Sequence, residues 1–405
     1  MVTINNILNK IAPSDTVRIA ELAKKLKKEG KDIISLSLGE SDLDSPDFAL
    51  EGATKAIVSG DTRYPPVPGH ISLREAIVRK LELENKLKYN VADIVVCNGA
   101  KHALFNIFFS VINPGDEVIL FLPTWVSYSK MVELAGGIAK KVKCNQDFSI
   151  DIESFKQTIN HKTKAIVLNS PNNPSGAVYN EKELSQIAEI LVDHPDVIII
   201  SDDIYENIIY DMNKVPHILD NYPNLIDRTC IVNGVSKGYA MTGWRVGYVA
   251  SKSQDIVKSI NKLQTHTTGG VCTIAEGAAL GAISHTNKDR SFFQDQNNMY
   301  KEKRDIALKI LQDVKGLSIN VPQGAFYLFI DCQNYIGRKG LFVPEINNSI
   351  DIAQDLLDHA LVAVVPGEAF EMQGFFRMSY ALSKDSLIMA CNRIKKYFSE
   401  LSDAL

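Results

Sequence analysis

The chain has 405 residues, of which 45% are hydrophobic and 23% are charged, close to the average of globular proteins. These values exclude a disordered, collagen-like or coiled-coil protein, and the length predicts two or three domains. The 44 lysines and arginines against 48 aspartates and glutamates give a net charge of −4, so we expect no nucleic-acid partner.

The cysteines and the apolar segments indicate the compartment. The cysteines show neither the spacing of zinc ligands nor that of a disulfide framework, so they are predicted to be reduced thiols; they are Cys97, Cys144, Cys230, Cys272, Cys332 and Cys391. No run of about 18 apolar residues occurs, and the amino terminus lacks the charged and apolar segments of a secretion signal. We therefore expect a cytoplasmic protein with no membrane partner and no metal site.

In chain order, two amphipathic helices are predicted first, at Thr16–Glu29 and Ser72–Lys88. From about residue 90 to 250, short apolar runs alternate with helical patterns such as His102–Val111 and Glu181–Val192, which is typical of a parallel sheet with crossover helices. The six predicted strands are Asp93–Cys97, Glu117–Leu122, Ala165–Leu168, Val197–Ser201, Thr229–Val232 and Val246–Ala250.

The last third of the chain has a different pattern. A long helix is predicted at Asp295–Val314, strands at Ala325–Asp331 and Val362–Val365, and a final helix at Ser386–Phe398. These strands are too few for another series of strand–helix repeats. A smaller α+β domain is therefore expected after the parallel sheet.

Ligands of open parallel sheets bind beyond the carboxyl ends of the strands, so the residues there are the first candidates for a site. After the first strand, Asn98-Gly99-Ala100-Lys101 opens a helix whose free N–H groups could hold a phosphate. Trp125 follows the second strand and could stack on an aromatic ligand. The third strand runs into the proline-rich segment 169–176, which would fix a loop and point an asparagine inward.

Two charged residues follow the next strands. Asp202 comes after four apolar residues, and a buried carboxylate there would need a cationic partner. Lys237 stands between Ser236 and Gly238, and a lysine just beyond a buried strand can acquire a lowered pKa and act as a nucleophile. Arg245 follows eight residues later.

Each of these signals also has a structural explanation, such as a packed tryptophan, a turn or a solvated lysine. Their combination is more specific, because pyridoxal 5'-phosphate (PLP) requires all of them together. A lysine forms its Schiff base, a carboxylate keeps its ring nitrogen protonated, and an arginine with a helix end binds its phosphate.

The chain resembles the class I aminotransferases, which are fold type I PLP enzymes, and among them the bacterial aspartate and prephenate aminotransferases. The resemblance covers nearly the whole chain. It depends on motifs that occur in the order of the family: Leu38-Gly39-Glu40-Ser41-Asp42, Tyr64 with Pro68-Gly69, Leu73-Arg74-Glu75-Ala76, Asn98-Gly99-Ala100-Lys101, Asn169-Ser170-Pro171-Asn172-Asn173-Pro174-Ser175-Gly176, Ser201-Asp202-Asp203-Ile204-Tyr205, Ser236-Lys237, Met241-Thr242-Gly243-Trp244-Arg245, Gly324-Ala325-Phe326-Tyr327, Val365-Pro366-Gly367 and Arg377-Met378-Ser379-Tyr380.

The resemblance implies an α/β fold of the type I PLP transferases, with a mainly parallel central sheet, flanking helices and a smaller α+β domain. It implies a large cofactor-binding domain over residues 46–285. Residues 1–45 and 286–405 would form the small domain, which could close over substrate.

The resemblance also implies roles for catalytic and cofactor-binding residues. Lys237 would form the Schiff base and then act as general base, and Asp202 would pair with the ring nitrogen. Tyr205 and Asn173 would hydrogen-bond the ring oxygen, while Trp125 would stack on the ring and, with Asn173, also contact substrate.

Three further groups of residues are implied to bind phosphate or substrate. Arg245 and the backbone of Ala100 and Lys101 would hold the phosphate. Arg377 and the main-chain N–H of Gly39 would bind the substrate α-carboxylate.

The resemblance implies a homodimer with shared active sites, because Tyr64 matches a tyrosine that reaches the phosphate of the neighbouring subunit. Lys101 and Thr16 match residues that face the distal carboxylate of acidic substrates. Members that act on prephenate carry a lysine where this chain has Ala12. We therefore expect transfer of the amino group of L-aspartate or glutamate to 2-oxoglutarate or oxaloacetate by a ping-pong mechanism.

Other functions compete with this prediction. An aminotransferase for aromatic, prephenate-type or small neutral amino acids, or a relative that catalyses elimination, would use the same Lys237 and Asp202. A non-catalytic regulator on this fold is disfavoured by the retained Lys237 and by the fewer than 40 residues that precede Gly39. A nicotinamide-dependent enzyme is disfavoured because no GxGxxG motif follows the first core strand.

Overall fold

The structure, a computed structural model, describes residues 8, 9, 11 and 15–403, without the side chains of 15, 16, 402 and 403. The α-helices of this part of the chain are α1 (Asp15–Lys28), α2 (Asp47–Val58), α3 (Ile71–Lys80), α4 (Ala100–Val111), α5 (Val126–Leu134), α6 (Ile152–Thr158), α7 (Glu181–Val192), α8 (Ile218–Asn221), α9 (Gln254–His266), α10 (Thr273–Thr286), α11 (Ser291–Leu311), α12 (Ser349–Asp358) and α13 (Lys384–Asp403). The strands are β1 (Ile34–Ser35), β2 (Ile94–Cys97), β3 (Glu117–Phe121), β4 (Ile138–Val142), β5 (Thr163–Asn169), β6 (Ile198–Asp202), β7 (Thr229–Gly234), β8 (Gly247–Ser251), β9 (Ser318–Ile319), β10 (Tyr327–Asp331), β11 (Val362–Ala363), β12 (Val365–Pro366) and β13 (Phe375–Ser379).

The central sheet has seven strands in the order β2-β8-β7-β6-β5-β3-β4, and only β8 runs antiparallel to its neighbours. Its inner strands are rich in valine and isoleucine and are buried on both faces, as a sheet covered by helices requires. The pairing of Asn169 with Asp202, and of Asp202 with Val232, brings the carboxyl ends of β5, β6 and β7 to one edge. The predicted mainly parallel α/β fold is confirmed.

Strand β4 and helix α3 are two of the elements in which the structure differs from the sequence prediction. Strand β4 was missed because it lies at the edge of the sheet, where Lys140 and Lys141 interrupt the apolar run. The helix predicted over Ser72–Lys88 ends as an α-helix at Lys80 and continues as one π-helical turn, Leu81–Asn85.

A second, antiparallel sheet has the order β12-β13-β10-β9. In this sheet Phe329 of β10 lies opposite Arg377 of β13. The short strand β1 pairs in parallel with β11 through Ile34 and Val362, so the amino-terminal segment joins the last third of the chain. The smaller α+β part of the predicted fold is thus present, while domain limits at residues 46 and 285 remain predictions.

Helices α2 and α10 pack closely because glycines form their contact. A Cβ added to Gly52 would lie 2.3 Å from the carbonyl oxygen of Gly277, and one added to Gly281 would lie 2.3 Å from that of Phe48. No described helix combines the length and the apolar character that crossing a membrane requires.

Candidate active site

A cavity of about 170 Å³ lies at the carboxyl edge of the central sheet, between that sheet and β13. Eight residues predicted from the sequence line it: Gly39, Ala100, Trp125, Asn173, Asp202, Tyr205, Lys237 and Arg377. Three residues without a predicted role, Tyr128, Asn169 and Tyr327, line it as well. The fold therefore gathers residues from both sheets around one space.

Asp202 is a buried carboxylate at the last position of β6. The hydroxyl of Tyr128 donates to its Oδ2 at 2.5 Å, and the N–H of Ile204 donates to its Oδ1 at 3.3 Å. Burial raises the pKa of Asp202 to about 6, although the hydrogen bond from Tyr128 opposes this shift. A cationic ligand group beside Asp202 would lower this pKa again and stabilise the ionised carboxylate.

Lys237 lies across the cavity, in the turn after β7. Its Nζ donates to the carbonyl oxygen of Gly39. Burial, and then the positive charge of Arg377, lowers the pKa of Lys237 to about 8. Near neutral pH its amine therefore loses a proton much more readily than that of an ordinary lysine, as a nucleophile or proton carrier requires.

Arg377 is 2% exposed, and its guanidinium is held by neutral groups. Nη1 donates to Oδ1 of Asn173 at 2.9 Å, and Nη2 donates to the carbonyl oxygen of Ser37 at 2.7 Å. Nε is buried without a hydrogen-bond partner, and within the described residues no carboxylate forms an ion pair with Arg377. A buried guanidinium in this state fits a carboxylate ligand.

Tyr327 connects Arg377 to Tyr205, which lies just after β6. The Arg377 guanidinium lies 4.4 Å from the centroid of the Tyr327 ring, and the hydroxyls of Tyr327 and Tyr205 are 2.7 Å apart. A Cβ added to Gly39 would lie 2.5 Å from the Tyr327 hydroxyl, so a glycine is required for this close approach. These contacts join Gly39, Tyr205, Tyr327 and Arg377 in one part of the cavity lining.

The start of α4 forms a cradle at another side of the cavity. Gly99, with φ of 84°, precedes the helix, and the first N–H groups of a helix lack intrahelical partners. A Cβ on Gly99 would lie 2.3 Å from Nη2 of Arg245, and a Cβ on Gly247 would lie 2.3 Å from the N atom of Ala100. The cradle thus depends on two glycines and combines N–H groups with a guanidinium, which suits a phosphate.

The remaining predicted residues lie at the margin or outside the cavity. Lys101 is exposed, with its Nζ 4.9 Å from the centroid of the Trp125 ring, and Arg245 is exposed beside Gly99. Tyr64 is 99% exposed and lies away from the cavity of its own chain. The side chain of Thr16, and Ala12, lie outside the described residues.

Tyr128 is the main functional candidate that the sequence did not reveal. It lies three residues after Trp125, and the two rings meet edge to face with centroids 5.3 Å apart. The spacing of three residues is the signal that could have found it, because Trp125 caps the start of α5 and Tyr128 lies in the first turn of that helix, and both line the cavity.

The lysine, carboxylate and guanidinium, disposed around one cavity at the edge of a mainly parallel sheet, define a PLP-dependent transferase. Residues 31–394 match the family described as aminotransferase class I and II. The chain belongs to this family, and it is a PLP-dependent aminotransferase.

Relatives and solved structures agree with this assignment. The chain is 43% identical over 398 residues to a probable aspartate/prephenate aminotransferase of Rickettsia bellii, covering 98% of this chain and 99% of the relative. It is 38% identical to an aspartate/prephenate aminotransferase of Cereibacter sphaeroides, covering 99% and 100%. The crystal structure of an aspartate aminotransferase of Rhizobium meliloti superposes with a TM-score of 0.94 at 36% identity, covering 98% and 99%. An aspartate aminotransferase of Thermus thermophilus with maleate gives 0.91 at 35% identity, covering 98% and 100%.

Proposed function

We propose that the protein transfers the amino group of L-aspartate or glutamate to 2-oxoglutarate or oxaloacetate by a ping-pong mechanism. The observation that carries this proposal is the cavity itself, whose lining combines Lys237, of lowered pKa, with the carboxylate of Asp202 and the guanidinium of Arg377. Aspartate is favoured because the relatives named above are called aspartate/prephenate aminotransferases and the superposed structures are called aspartate aminotransferases.

The residues present fit PLP. Asp202, with the pKa that burial raises to about 6, would hold the protonated ring nitrogen, and Trp125 would contact the ring. Tyr205 and Asn173 would bind the ring oxygen, while Arg245 and the first turn of α4 would bind the phosphate. When bound, PLP supplies an electrophilic carbonyl and a ring that stabilises negative charge at the Cα of the substrate.

Lys237 would carry the proton. Its Nζ rests against the carbonyl oxygen of Gly39, and a lowered pKa allows it to accept and return a proton near neutral pH. The nearby charge of Arg377 favours the neutral amine of Lys237 and so supports this role.

Arg377 would bind the α-carboxylate of the substrate as a bidentate partner, with the N–H of Gly39 at the same group. Lys101 supplies a second cation at the margin, over the Trp125 ring. A dicarboxylate could thus contact two cations, and maleate, named with the superposed Thermus structure, is a four-carbon dicarboxylate too. Thr16 is proposed to assist Lys101.

The test is a single-turnover measurement on the PLP-loaded protein. We expect aspartate and glutamate to convert the visible absorption of the cofactor much faster than phenylalanine or alanine. In Lys101→Ala this preference is expected to fall, while conversion by phenylalanine and alanine stays unchanged. Lys156→Ala, which removes a lysine from a surface ion pair on α6, is the matched control. Faster conversion by neutral or aromatic amino acids would overturn the proposal on substrate and leave the family assignment intact.

A second candidate acceptor is prephenate, because the relatives above carry it in their names. The presence of Ala12 in place of a lysine disfavours this activity by resemblance. Incubation of the PLP-loaded protein with glutamate and prephenate, followed by amino-acid analysis, shows whether prephenate accepts the amino group. Aminated prephenate formed as rapidly as aspartate from oxaloacetate would establish the second activity.

We also infer a homodimer in the cytoplasm, with a large domain over residues 46–285 and a small domain formed by 1–45 and 286–405. The full exposure of Tyr64 supports a role in a neighbouring subunit. The pairing of β1 with β11 supports the division into domains.

A further inference from the structure

Behind the wall of the cavity, Glu206 lies at the centre of a buried hydrogen-bond network. Its Oε1 accepts from Nζ of Lys80 and, at 2.5 Å, from Nδ2 of Asn233, and its Oε2 accepts from Nδ2 of Asn85 at 2.8 Å. Lys80, Asn85 and Asn233 are 3%, 9% and 5% exposed. These four residues are called the Glu206 network below.

The π-helical turn after α3 makes the network possible. Lys80 and Asn85 are five residues apart, and in an α-helix that spacing points two side chains to different faces. In the wider π-helical turn the two residues come nearly into line, and Nζ of Lys80 also donates to Oδ1 of Asn85 at 2.9 Å. Single π-helical turns occur frequently at functional sites.

The charges around the network balance. Lys80 also lies 3.7 Å from Oε2 of Glu84, and Nη1 of Arg290 lies 2.6 Å from Oε1 of Glu84. Burial alone would lower the pKa of Lys80, but the carboxylates of Glu206 and Glu84 raise it, so the lysine stays charged. A buried ion pair contributes little net stability compared with apolar packing. The network therefore calls for a role other than stability.

The network joins the two segments that carry cofactor residues. Glu206 directly follows Tyr205, whose side chain lines the cavity. Asn233 lies near the end of β7, four residues before Lys237. The carboxylate of Glu206 thus links the turn after β6 to the last part of β7, from which the chain continues to Lys237.

We propose that Glu206 is a positioning residue, which through Lys80, Asn85 and Asn233 holds Tyr205 and Lys237 at the separation that transamination requires. This inference depends on the roles proposed above for Tyr205 and Lys237. Because those groups act on the same cofactor, an error of a fraction of an ångström in their separation lowers the rate without abolishing the binding of substrate.

The test compares the PLP-loaded Glu206→Gln variant with Asp93→Asn. Asp93 is an equally suitable buried carboxylate, 3% exposed and 2.8 Å from Nζ of Lys252, but it lies at the amino end of β2, away from the cavity. We expect Glu206→Gln to lower kcat about tenfold. The KM for aspartate is expected to change less than about twofold because Arg377 is untouched. The spectrophotometric pH midpoint of the bound cofactor is expected to move by about half a unit or more, a threefold change in proton affinity.

Asp93→Asn is expected to lower Tm while its kcat and midpoint stay as in the wild type. The inference is overturned if Glu206→Gln behaves in the same way. If Glu206→Gln does not fold, Lys80→Met/Glu206→Gln, which removes both buried charges, undergoes the same measurements with the same expectations. A wild-type protein without transaminase activity would refute the proposed function. The pH midpoint of the bound cofactor, compared between the wild type and Glu206→Gln, would still test the role of the Glu206 network.

Discussion

At the scale of single residues, Lys237 is the side chain on which activity depends most directly. In Lys237→Ala the proton carrier is lost, so we expect turnover of aspartate with 2-oxoglutarate to fall at least about a thousandfold, within the range of general acid–base catalysis. The pH dependence that Lys237 gives to the absorption of the bound cofactor is expected to be lost as well. The surface variant Lys156→Ala provides the comparison, and retained turnover in Lys237→Ala would contradict the role assigned to this lysine.

In the cofactor-free protein, the raised pKa of Asp202 is expected to lower the free energy of unfolding as the pH rises from about 4 to about 6. Its ordinary pKa is near 4, and burial raises the pKa to about 6 in the folded chain. Between these values the unfolded chain has lost a proton that the folded chain still holds, so stability falls as pH rises through this window. Between pH 5 and 7.5 the wild type is expected to lose about 1 kcal/mol relative to Asp202→Asn. Urea unfolding of both apoproteins measures this, and parallel pH dependences would contradict it.

At the scale of elements, the contact between α2 and α10 is the most sensitive to side-chain volume. An alanine favours an open helix over glycine by about 1 kcal/mol, but a Cβ on Gly52 would lie 2.3 Å from the carbonyl oxygen of Gly277. Overpacking therefore dominates, and Gly52→Ala is expected to lower the free energy of unfolding by about 1–3 kcal/mol. Glu51→Ala, exposed on the same helix, serves as the control in urea unfolding. A Gly52→Ala variant as stable as this control would show that the helices can separate without cost.

The elements also show how far the sequence could predict the site. The sequence predicted Asp202 and Lys237 as site residues, because apolar runs mark where the buried strands end and parallel strands end at one edge of the sheet. The edge strand β4 was not predicted, because its two lysines interrupt the run of apolar residues by which a strand is recognised. The π-helical turn after α3 was not predicted, because Lys80 meets its partner Glu206, 126 residues further along the chain, only in the folded protein. The local sequence pattern thus shows where buried strands end, but it does not show contacts between residues that are distant in the chain.

At the scale of the whole molecule, the proposed homodimer can be tested by mixing two inactive variants. If Tyr64 completes the site of the neighbouring subunit, a mixed dimer of Tyr64→Ala and Lys237→Ala contains one complete site. Random reassociation after mild denaturation is then expected to restore about a quarter of the wild-type activity, since half of the dimers are mixed and each has one of two sites. Mixtures that stay as inactive as either parent would contradict a shared site, and each variant refolded alone is the control.

The unpaired guanidinium of Arg377 and the buried carboxylate of Asp202 also couple ligand binding to the stability of the fold. A molecule that supplies opposite charges to these two groups binds the folded chain and not the unfolded one, and it stabilises the fold by mass action. The folded fraction, and with it the resistance to proteolysis, is therefore expected to rise with the concentrations of PLP and of dicarboxylates.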